Sequence, residues 1–471
     1  MMKFWLGIVA LVVVIVSPLH AQSVWATKKS AWTTMDDAKR AQMEDYATAY
    51  KQYIRVARTE LSSTAEIIRL AKAKGFALFT EPKQIIPGAK LIFNNRDRAL
   101  ILAVIGTKPL WDGSRLIAAH HDTPRLDLKA RPAMEKDGLI LLKTNIYGGI
   151  KKYQWANLPL MLTGRIDLKG GQRIDITVGD DENEPVFVIP DAAPHVDSPL
   201  RERKYTSVLE GEEMMPVAGS VTTQASGIAA LFQQIQSQYG FGEEDLVSAE
   251  LSFVPALQPR DAGLDKSMIA AYGHDDKLCS FAAAYSVMNI TGMPVNTALA
   301  YMTDNEETGS VNNTGAQSSF LRDTYSAIIE GQTSTFTENT VRKALRNAIV
   351  ISADVNDGVN PIFPSLSESS NAAKLGYGVA IKSYGRSFNA NSELTARIRT
   401  LLDDAAIPWQ TASYRNETGG GGTIGVFISK ENMEVIDMGI PILSMHSVYE
   451  MCSKVDLWYF YKTCVAFYGM N

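Results

Sequence analysis

The sequence predicts an α/β fold in which a mixed, largely parallel sheet is flanked by helices and the chain is interrupted by a β-rich insertion. Three observations support this class. After residue 250, apolar strand-like runs alternate with helical segments, which is typical of parallel sheets joined by crossover helices. Two further apolar runs precede residue 123. Between about residues 131 and 250, apolar and polar residues alternate instead.

The elements before the insertion are a helical segment and two strands. Residues 36–74 have helical periodicity, and Gly75 is suited to end that segment. The runs ALILAVIG (99–106) and SRLIAAHHD (114–122) predict buried strands.

The insertion and the C-terminal half contain the remaining elements. The stretch GRIDLKGGQRIDITVGDD (164–181) predicts a hairpin that turns at Gly170-Gly171, and the polar residues 200–213 predict a loop. The later pattern predicts strands at 297–302 and 349–354, and helices at 277–290, 340–348, 393–406 and 456–470.

Composition excludes several classes of function. The 471 residues carry 46 basic and 51 acidic side chains, a net charge of -5, and no basic stripe, so neither nucleic acid nor an anionic membrane is an expected partner. The three cysteines do not form a disulfide framework. A Cys452–Cys464 bridge remains open in an oxidising compartment, although buried thiols are favoured.

The N-terminus has the pattern of a secretory signal. Lys3 precedes an apolar run over residues 4–16, followed by Pro18 and small residues, with cleavage expected after Ala21. The run is too short for a stable membrane span, although an uncleaved anchor is an alternative. We therefore expect export, to a periplasm or to the outside.

Acidic and imidazole side chains follow the apolar runs or precede a helix. Taken singly, each has an ordinary explanation as a helix cap, a solvated turn or a hydrogen-bonded histidine. Taken together, they suit a borderline divalent cation such as zinc. The residues are His120, His121 and Asp122; His274, Asp275 and Asp276; Asp304, Glu306 and Glu307; Asp354; and His446.

Two zinc ions about 3.5–4 Å apart can share a bridging carboxylate and activate a water. Side chains of neighbouring residues in extended chain point opposite ways. On that basis one of Glu306 and Glu307 is expected to bind metal while the other acts as general base.

Seven sequence blocks resemble the metallopeptidase family of aspartyl aminopeptidase and vacuolar aminopeptidase. They occur in order from about residue 40 to the C-terminus, so the resemblance is specific. The blocks are HHDTPRLDLK (120–129), IYGGIKKYQW (146–155), AYGHDDKLCS (271–280), DNEETGS (304–310), SADV (352–355), GGGGTIG (419–425) and SMHS (444–447).

The resemblance implies a dizinc exopeptidase-like catalytic domain that carries a dimerisation insertion. The expected segments are a signal peptide at 1–21, catalytic parts at 22–130 and 251–471, and the β-rich dimerisation domain at 131–250. The implied activity is removal of the N-terminal residue from peptides with a free N-terminus, by a homodimer that can assemble into a dodecamer.

The resemblance also implies roles for individual residues. Glu306 would be the general base, Asp122 would orient His120, and His121 would point away from the metal. One zinc would be bound by His120, Asp275 and Asp354, and the other by Asp275, Glu307 and His446, with cobalt or manganese as substitutes.

Substrate contacts are implied at five further positions, each with an ordinary alternative. His195 would reach the neighbouring subunit's site, or is a surface loop histidine. Lys382 would contact substrate, or is an exposed strand lysine. Gly421, Gly422 and Thr423 would approach the substrate through their backbone, or form a flexible turn.

One position departs from the family pattern, and two other functions compete. Asp357 replaces the histidine of the aspartyl branch, which disfavours an acidic substrate side chain. A dizinc carboxypeptidase or amidohydrolase would need a basic group such as Arg125 or Arg386. A non-catalytic secreted scaffold would lack a ligand or the base, yet all of them are present.

Overall fold

The computed structural model describes residues 28–81, 84–221, 226–335, 337–368, 370–382, 388–416 and 421–470. The expected leader (1–21) and Arg386 lie outside these ranges. Within them, no helix combines the length and the apolar character that crossing a bilayer requires.

The described chain forms twenty strands and nine helices. The strands are β1 (Ala77–Leu78), β2 (Lys90–Asn95), β3 (Ala99–Val104), β4 (Ser114–His120), β5 (Arg125–Lys136), β6 (Leu139–Tyr147), β7 (Leu160–Asp167), β8 (Arg173–Val178), β9 (Val217–Gly219), β10 (Ala249–Pro255), β11 (Arg260–Ala262), β12 (Met268–Ala271), β13 (Thr297–Thr303), β14 (Ile349–Ala353), β15 (Asn356–Asp357), β16 (Val379–Lys382), β17 (Trp409–Thr411), β18 (Glu434–Gly439), β19 (Pro441–Leu443) and β20 (Glu450–Ser453). The helices are α1 (Asp37–Val56), α2 (Glu60–Ala73), α3 (Gly227–Tyr239), α4 (His274–Met288), α5 (Phe320–Gln332), α6 (Glu338–Arg346), α7 (Ser392–Asp404), α8 (Gly425–Ile428) and α9 (Lys454–Tyr468).

The central sheet has nine strands in the order β1-β2-β3-β13-β4-β14-β18-β16-β17. Its middle strands β13, β4, β14 and β18 are parallel. Strand β3 pairs antiparallel with both of its neighbours, and β16 pairs antiparallel with β18 but parallel with β17. This mixed, largely parallel sheet with helices around it confirms the predicted fold class.

Helices cover both faces of this sheet, which explains why its strands are continuously apolar. Along β3, Leu100 and Leu102 pack in one core with α1, α2, α4, α7 and α9. Ile101 and Ala103 pack in the opposite core with α5, α6 and α8. Each residue of the inner strands β3, β4, β13 and β14 is therefore buried whichever face it points to, and no polar alternation is needed.

A second sheet contains six strands, all antiparallel, in the order β8-β7-β10-β5-β6-β9. These strands lie between Arg125 and Pro255. The predicted hairpin at 164–181 is confirmed as β7 paired with β8, and Gly171 adopts φ +81° in the turn. Helix α3, which the alternating pattern does not indicate, lies in the same segment.

A third, smaller sheet joins β11, β12, β20, β19 and β15. Its strands are two to four residues long and come from distant parts of the sequence. In the β12–β20 pair, Ala271 lies opposite Glu450. This pairing brings the start of α4 next to the chain that follows β19.

Two expectations need refinement. The predicted helical segment 36–74 consists of two helices, because the chain leaves helical geometry at residues 57–59 and Thr59 caps the start of α2. Gly75 follows the end of α2 and adopts φ +84°. Cys279, Cys452 and Cys464 are all free and buried, so the Cys452–Cys464 bridge is not formed and the buried-thiol interpretation holds.

Candidate metal centre

Three parallel strands bring chemically active residues to one edge of the central sheet. His120 is the last residue of β4, Asp354 follows β14, and the 3₁₀ turn Glu306–Thr308 follows β13. Because the carboxyl ends of neighbouring parallel strands meet at the same edge, these side chains converge.

Asp275 and His446 arrive from the third sheet. Asp275 lies at the start of α4, just after β12, and His446 lies between β19 and β20. As predicted, Asp275 lies at the start of a helix and His446 follows an apolar strand, but these elements adjoin the third sheet and not the central one. The donors of these two residues meet the others because β12 and β20 are paired.

The side chains form two donor sets that share Asp275. His120, Asp275 and Asp354 make one set, and Asp275, Glu307 and His446 make the other, with the donor atoms of each set within 4.8 Å of one another. The two oxygens of Asp275 divide between the sets: Oδ1 lies 3.1 Å from His120 Nε2, and Oδ2 lies 3.1 Å from His446 Nε2. A third group, formed by His120, Glu306 and Glu307, also has its donor atoms within 4.8 Å of one another.

Both histidines direct Nε2 into the site because their Nδ1 atoms are engaged elsewhere. His446 Nδ1–H donates to the carbonyl of Gly149 at 2.8 Å. His120 Nδ1 lies 3.2 Å from Oδ1 of Asp122 and 3.2 Å from its carbonyl oxygen. Such partners fix the ring orientation and the tautomer of a metal-binding histidine.

Asp122 also organises the turn that carries the two glutamates. Its Oδ1 accepts the backbone N–H of Glu306 at 3.2 Å, and its Oδ2 accepts that of Glu307 at 3.1 Å and the hydroxyl of Tyr147 at 2.7 Å. The carboxylate is fully buried. Nothing in the sequence near Tyr147 indicated this contact.

The glutamates lie in a 3₁₀ turn, so the expectation of extended chain at this point is wrong. Asn305 adopts φ +61° and reverses the chain, and Asp122 holds the two N–H groups that the turn exposes. The side chains nevertheless separate: Glu306 Oε2 lies 4.0 Å from His120 Nε2, and Glu307 Oε2 lies 3.3 Å from His446 Nε2. Asp304 turns away and accepts the hydroxyl of Thr314 at 2.7 Å.

Burial makes this cluster of carboxylates costly unless a cation is present. Burial raises the pKa of Glu306 to about 8, of Asp354 to about 6, and of Glu307 well above its usual value. Burial alone would lower the pKa of His446, but Asp275 and Glu307 raise it to about 10. Oε1 of Glu307 is buried without a hydrogen-bond partner. Nitrogen and oxygen donors with an unpaired oxygen suit divalent zinc.

These donors line a pocket of about 330 Å³. Four expected substrate-contacting residues, Lys382, Gly421, Gly422 and Thr423, also line it. Lys382 is buried rather than exposed: its Nζ donates to the Val355 carbonyl at 2.9 Å and lies 4.0 Å from Asp354 Oδ2. Two further lining residues, Val355 and Met445, fall within the SADV and SMHS blocks, whereas four have no signal in the sequence, namely Phe388, Ala412, Tyr414 and Asp437.

Several expected residues lie outside this pocket. His195 is exposed in the loop between β8 and β9, and Asp357 lies in β15 and does not itself line the pocket. His121 does point away from the site, and its Nε2 donates to the Arg98 carbonyl at 2.6 Å. His274 is equally buried, with Nδ1 2.7 Å from the Tyr50 hydroxyl.

Arg125, one candidate for binding a substrate carboxylate, is committed to buried ion pairs. Its guanidinium lies 2.8 Å from Glu60 and 2.8 Å from Asp127, and stacks 4.0 Å from the ring centre of Tyr147. It does not line the pocket. The carboxypeptidase alternative therefore has no support from this residue.

An α/β sheet with histidine and carboxylate donors gathered in a pocket at its edge is typical of metal-dependent hydrolases. Comparison with known proteins gives the family. The chain belongs to the M18 family, the aminopeptidase I zinc metalloproteases, which matches residues 53–468. It is a metallo-aminopeptidase.

Relatives match over nearly the whole chain. A probable M18 family aminopeptidase 1 from Borrelia garinii subsp. bavariensis is 39% identical over 454 residues, covering 94% of this chain and 99% of the relative. One from Clostridium acetobutylicum is 35% identical over 446 residues, covering 91% and 96%. The crystal structure of an M18 aminopeptidase from Thermotoga maritima has a TM-score of 0.90 at 34% identity, covering 94% of this chain and 99% of that chain.

Proposed function

We propose that this metallo-aminopeptidase acts through two zinc ions that share Asp275. His120, Asp275 and Asp354 would hold one ion, and Asp275, Glu307 and His446 the other. The observation that carries the proposal is the division of the Asp275 oxygens, 3.1 Å from His120 Nε2 and 3.1 Å from His446 Nε2. A carboxylate placed between two imidazoles in this way can bridge two cations.

The paired ions would supply Lewis acidity, lowering the pKa of water and polarising the scissile carbonyl. The protein supplies the rest of the chemistry. Buried surroundings strengthen electrostatic interactions with the developing oxyanion. Asp122 keeps the imidazole of His120 in one orientation through Nδ1.

Glu306 is the carboxylate that we assign as general base. It lines the pocket but belongs to neither of the two sets that share Asp275. Its Oε would take a proton from the attacking water and later give that proton to the leaving amine nitrogen. Substrate contacts would come from four further residues that line the same pocket, Lys382, Gly421, Gly422 and Thr423.

Two substitutions test these assignments. Glu306→Gln keeps the shape of the side chain but removes the base, so it is expected to retain both metals and to lose most of its activity. Asp275→Asn removes the shared charge and is expected to lose metal. Normal turnover by Glu306→Gln would refute the base assignment, and two tightly bound zinc ions in Asp275→Asn would refute the bridge.

The end of the peptide that is cut can be tested with a panel of free and N-acetylated dipeptides, with bound metal quantified on the same sample. Release of amino acids from unblocked peptides only, with about two metals per chain, is the expected result. Cleavage of blocked peptides would favour a carboxypeptidase or amidohydrolase. The panel would also show whether neutral N-terminal residues are preferred over acidic ones.

We propose that the six-stranded sheet belongs to a dimerisation domain spanning about residues 131–250, and that His195 reaches the partner's pocket. His195 is exposed and does not line the pocket of its own chain, as such a role requires. A yeast aminopeptidase structure, 21% identical, is described as a dodecamer. A protein that sediments as a monomer and is fully active under the same conditions would contradict a shared site.

We also propose that residues 1–21 direct export and are removed. N-terminal sequencing of the mature protein from the producing cell should begin near residue 22. An intact N-terminus in a cytoplasmic fraction would contradict export.

A further inference from the structure

Glu450 is a buried carboxylate that touches the backbone of two metal-site residues. Its Oε1 accepts the N–H of His446 at 2.7 Å, and its Oε2 accepts the N–H of Asp275 at 3.1 Å. The residue is 1% exposed and forms no salt bridge with any other described residue. Both oxygens are therefore used to hold backbone groups of the site.

The third sheet explains how one side chain reaches both. Glu450 begins β20, opposite Ala271 at the end of β12. From Ala271 the chain turns through Gly273, at φ +84°, into α4 and Asp275. His446 precedes Glu450 by four residues and adopts φ +62°. The two donors thus sit on separate loops, and Glu450 is the group that both loops contact.

We propose that Glu450 is a positioning residue that fixes the spacing between Asp275 and His446 and thereby shapes the second metal-binding set. This inference rests on the two-metal proposal above. A carboxylate whose two oxygens each accept an N–H from a different loop fixes the position of the two loops relative to each other. Partners that orient metal ligands typically affect metal affinity about 10–100-fold when they are removed.

The chain offers a matched control for a merely structural role. Asp456, fully buried in α9, also accepts two backbone N–H groups, from Gly376 at 2.6 Å and Gly378 at 2.7 Å. It lies outside the pocket. Asp456→Asn therefore removes one contact of the same type from the fold without touching a metal donor.

The experiment compares Glu450→Gln, Glu450→Asp and Asp456→Asn with the wild type, titrating metal-stripped full-length protein with Zn²⁺ and with Co²⁺. Gln offers one acceptor in place of two, and Asp is one methylene shorter, so each loses one of the two contacts. We expect one of the two ions to bind about 10–100-fold more weakly in both Glu450 variants. The Co²⁺ absorption spectrum of that site should change, and Asp456→Asn should match the wild type in both measurements.

Three results would overturn the inference: wild-type affinity for both ions in the Glu450 variants, an unchanged Co²⁺ spectrum, or the same metal loss in Asp456→Asn. If Glu450→Gln does not fold, Glu450→Asp, which keeps the charge, decides between these results. Failure of the underlying two-metal proposal is distinguishable, because the wild type itself would then bind fewer than two ions.

Discussion

Replacing Asp122 by Asn tests whether one carboxylate organises the site. In the native protein its two oxygens accept the N–H groups of Glu306 and Glu307 and the Tyr147 hydroxyl, and Oδ1 faces Nδ1 of His120. If the Asn amide nitrogen takes the place of Oδ2, the Tyr147 hydroxyl can rotate to accept from it. The N–H of Glu307, however, then faces a donor.

The cost follows from these contacts. One buried N–H without an acceptor costs about 1–3 kcal/mol. The two bonds that Oδ1 keeps change from charge-assisted to neutral, which weakens each by about 1 kcal/mol. The free energy of unfolding should therefore fall by about 3–5 kcal/mol, and activity should fall by at least about 100-fold, because the orientation of His120 and the position of Glu306 both change.

The assay is urea unfolding of metal-stripped protein, followed by tryptophan fluorescence, together with kcat of the zinc-loaded enzyme. Tyr147→Phe is the matched control, since it removes one donor and leaves Oδ2 with the Glu307 N–H; it should cost about 1.5–3 kcal/mol, as for a hydrogen bond to a charged group. An Asp122→Asn variant within the range of Tyr147→Phe in both stability and kcat would refute the reasoning.

Three further results are expected. Burial raises the pKa of Asp456 to about 7, above its unfolded value near 4. Between these pH values the folded state holds a proton that the unfolded state has lost, so the free energy of unfolding of the wild type, relative to Asp456→Asn, should fall by about 1.4 kcal/mol per pH unit as pH rises from about 4 to 7. A difference that stays constant with pH would contradict this. Gly439→Ala places a Cβ 1.8 Å from the carbonyl oxygen of Asp354, so this variant should bind less metal and lose about 1–3 kcal/mol of stability. Gly170→Ala, whose Cβ meets open space, is the control and should match the wild type in metal quantification and in thermal melts. The three cysteine thiols are buried and unbridged, so a thiol reagent should label none of them in the native state and all three after unfolding. Labelling of fewer than three thiols in protein denatured without a reductant would reveal a disulfide bridge.

The parts of the site that the sequence predicted are those where chemistry and local pattern coincide. His120, Glu306, Glu307 and Asp354 each follow an apolar run, and these runs are parallel neighbouring strands in the sheet. A run of apolar residues is a local signal, and the geometry of parallel strands then places their carboxyl ends together. The family resemblance added which carboxylate has which role.

The contacts that support the site depend on pairing between distant strands. Glu450 directly follows no long apolar run, and it reaches Asp275 because β12 pairs with β20. Tyr147 likewise reaches Asp122 from the end of β6. Strands of four residues have too little periodicity to be recognised, and register between them is set by packing in the folded protein.

The sequence by itself predicted the fold class and the candidate donor residues, because hydrophobic periodicity and side-chain chemistry are local properties of the chain. The resemblance of seven ordered blocks indicated the family. The tertiary structure alone showed that the donor atoms of both sets converge on Asp275, that His121 and His274 form buried hydrogen bonds, and that Arg125 is held by Glu60 and Asp127. In each case the sequence offers several histidines, carboxylates or arginines of similar chemistry, and only the folded structure distinguishes between them. These distinctions depend on which atoms come within a few ångströms of each other, and that distance is fixed only when the whole chain has packed.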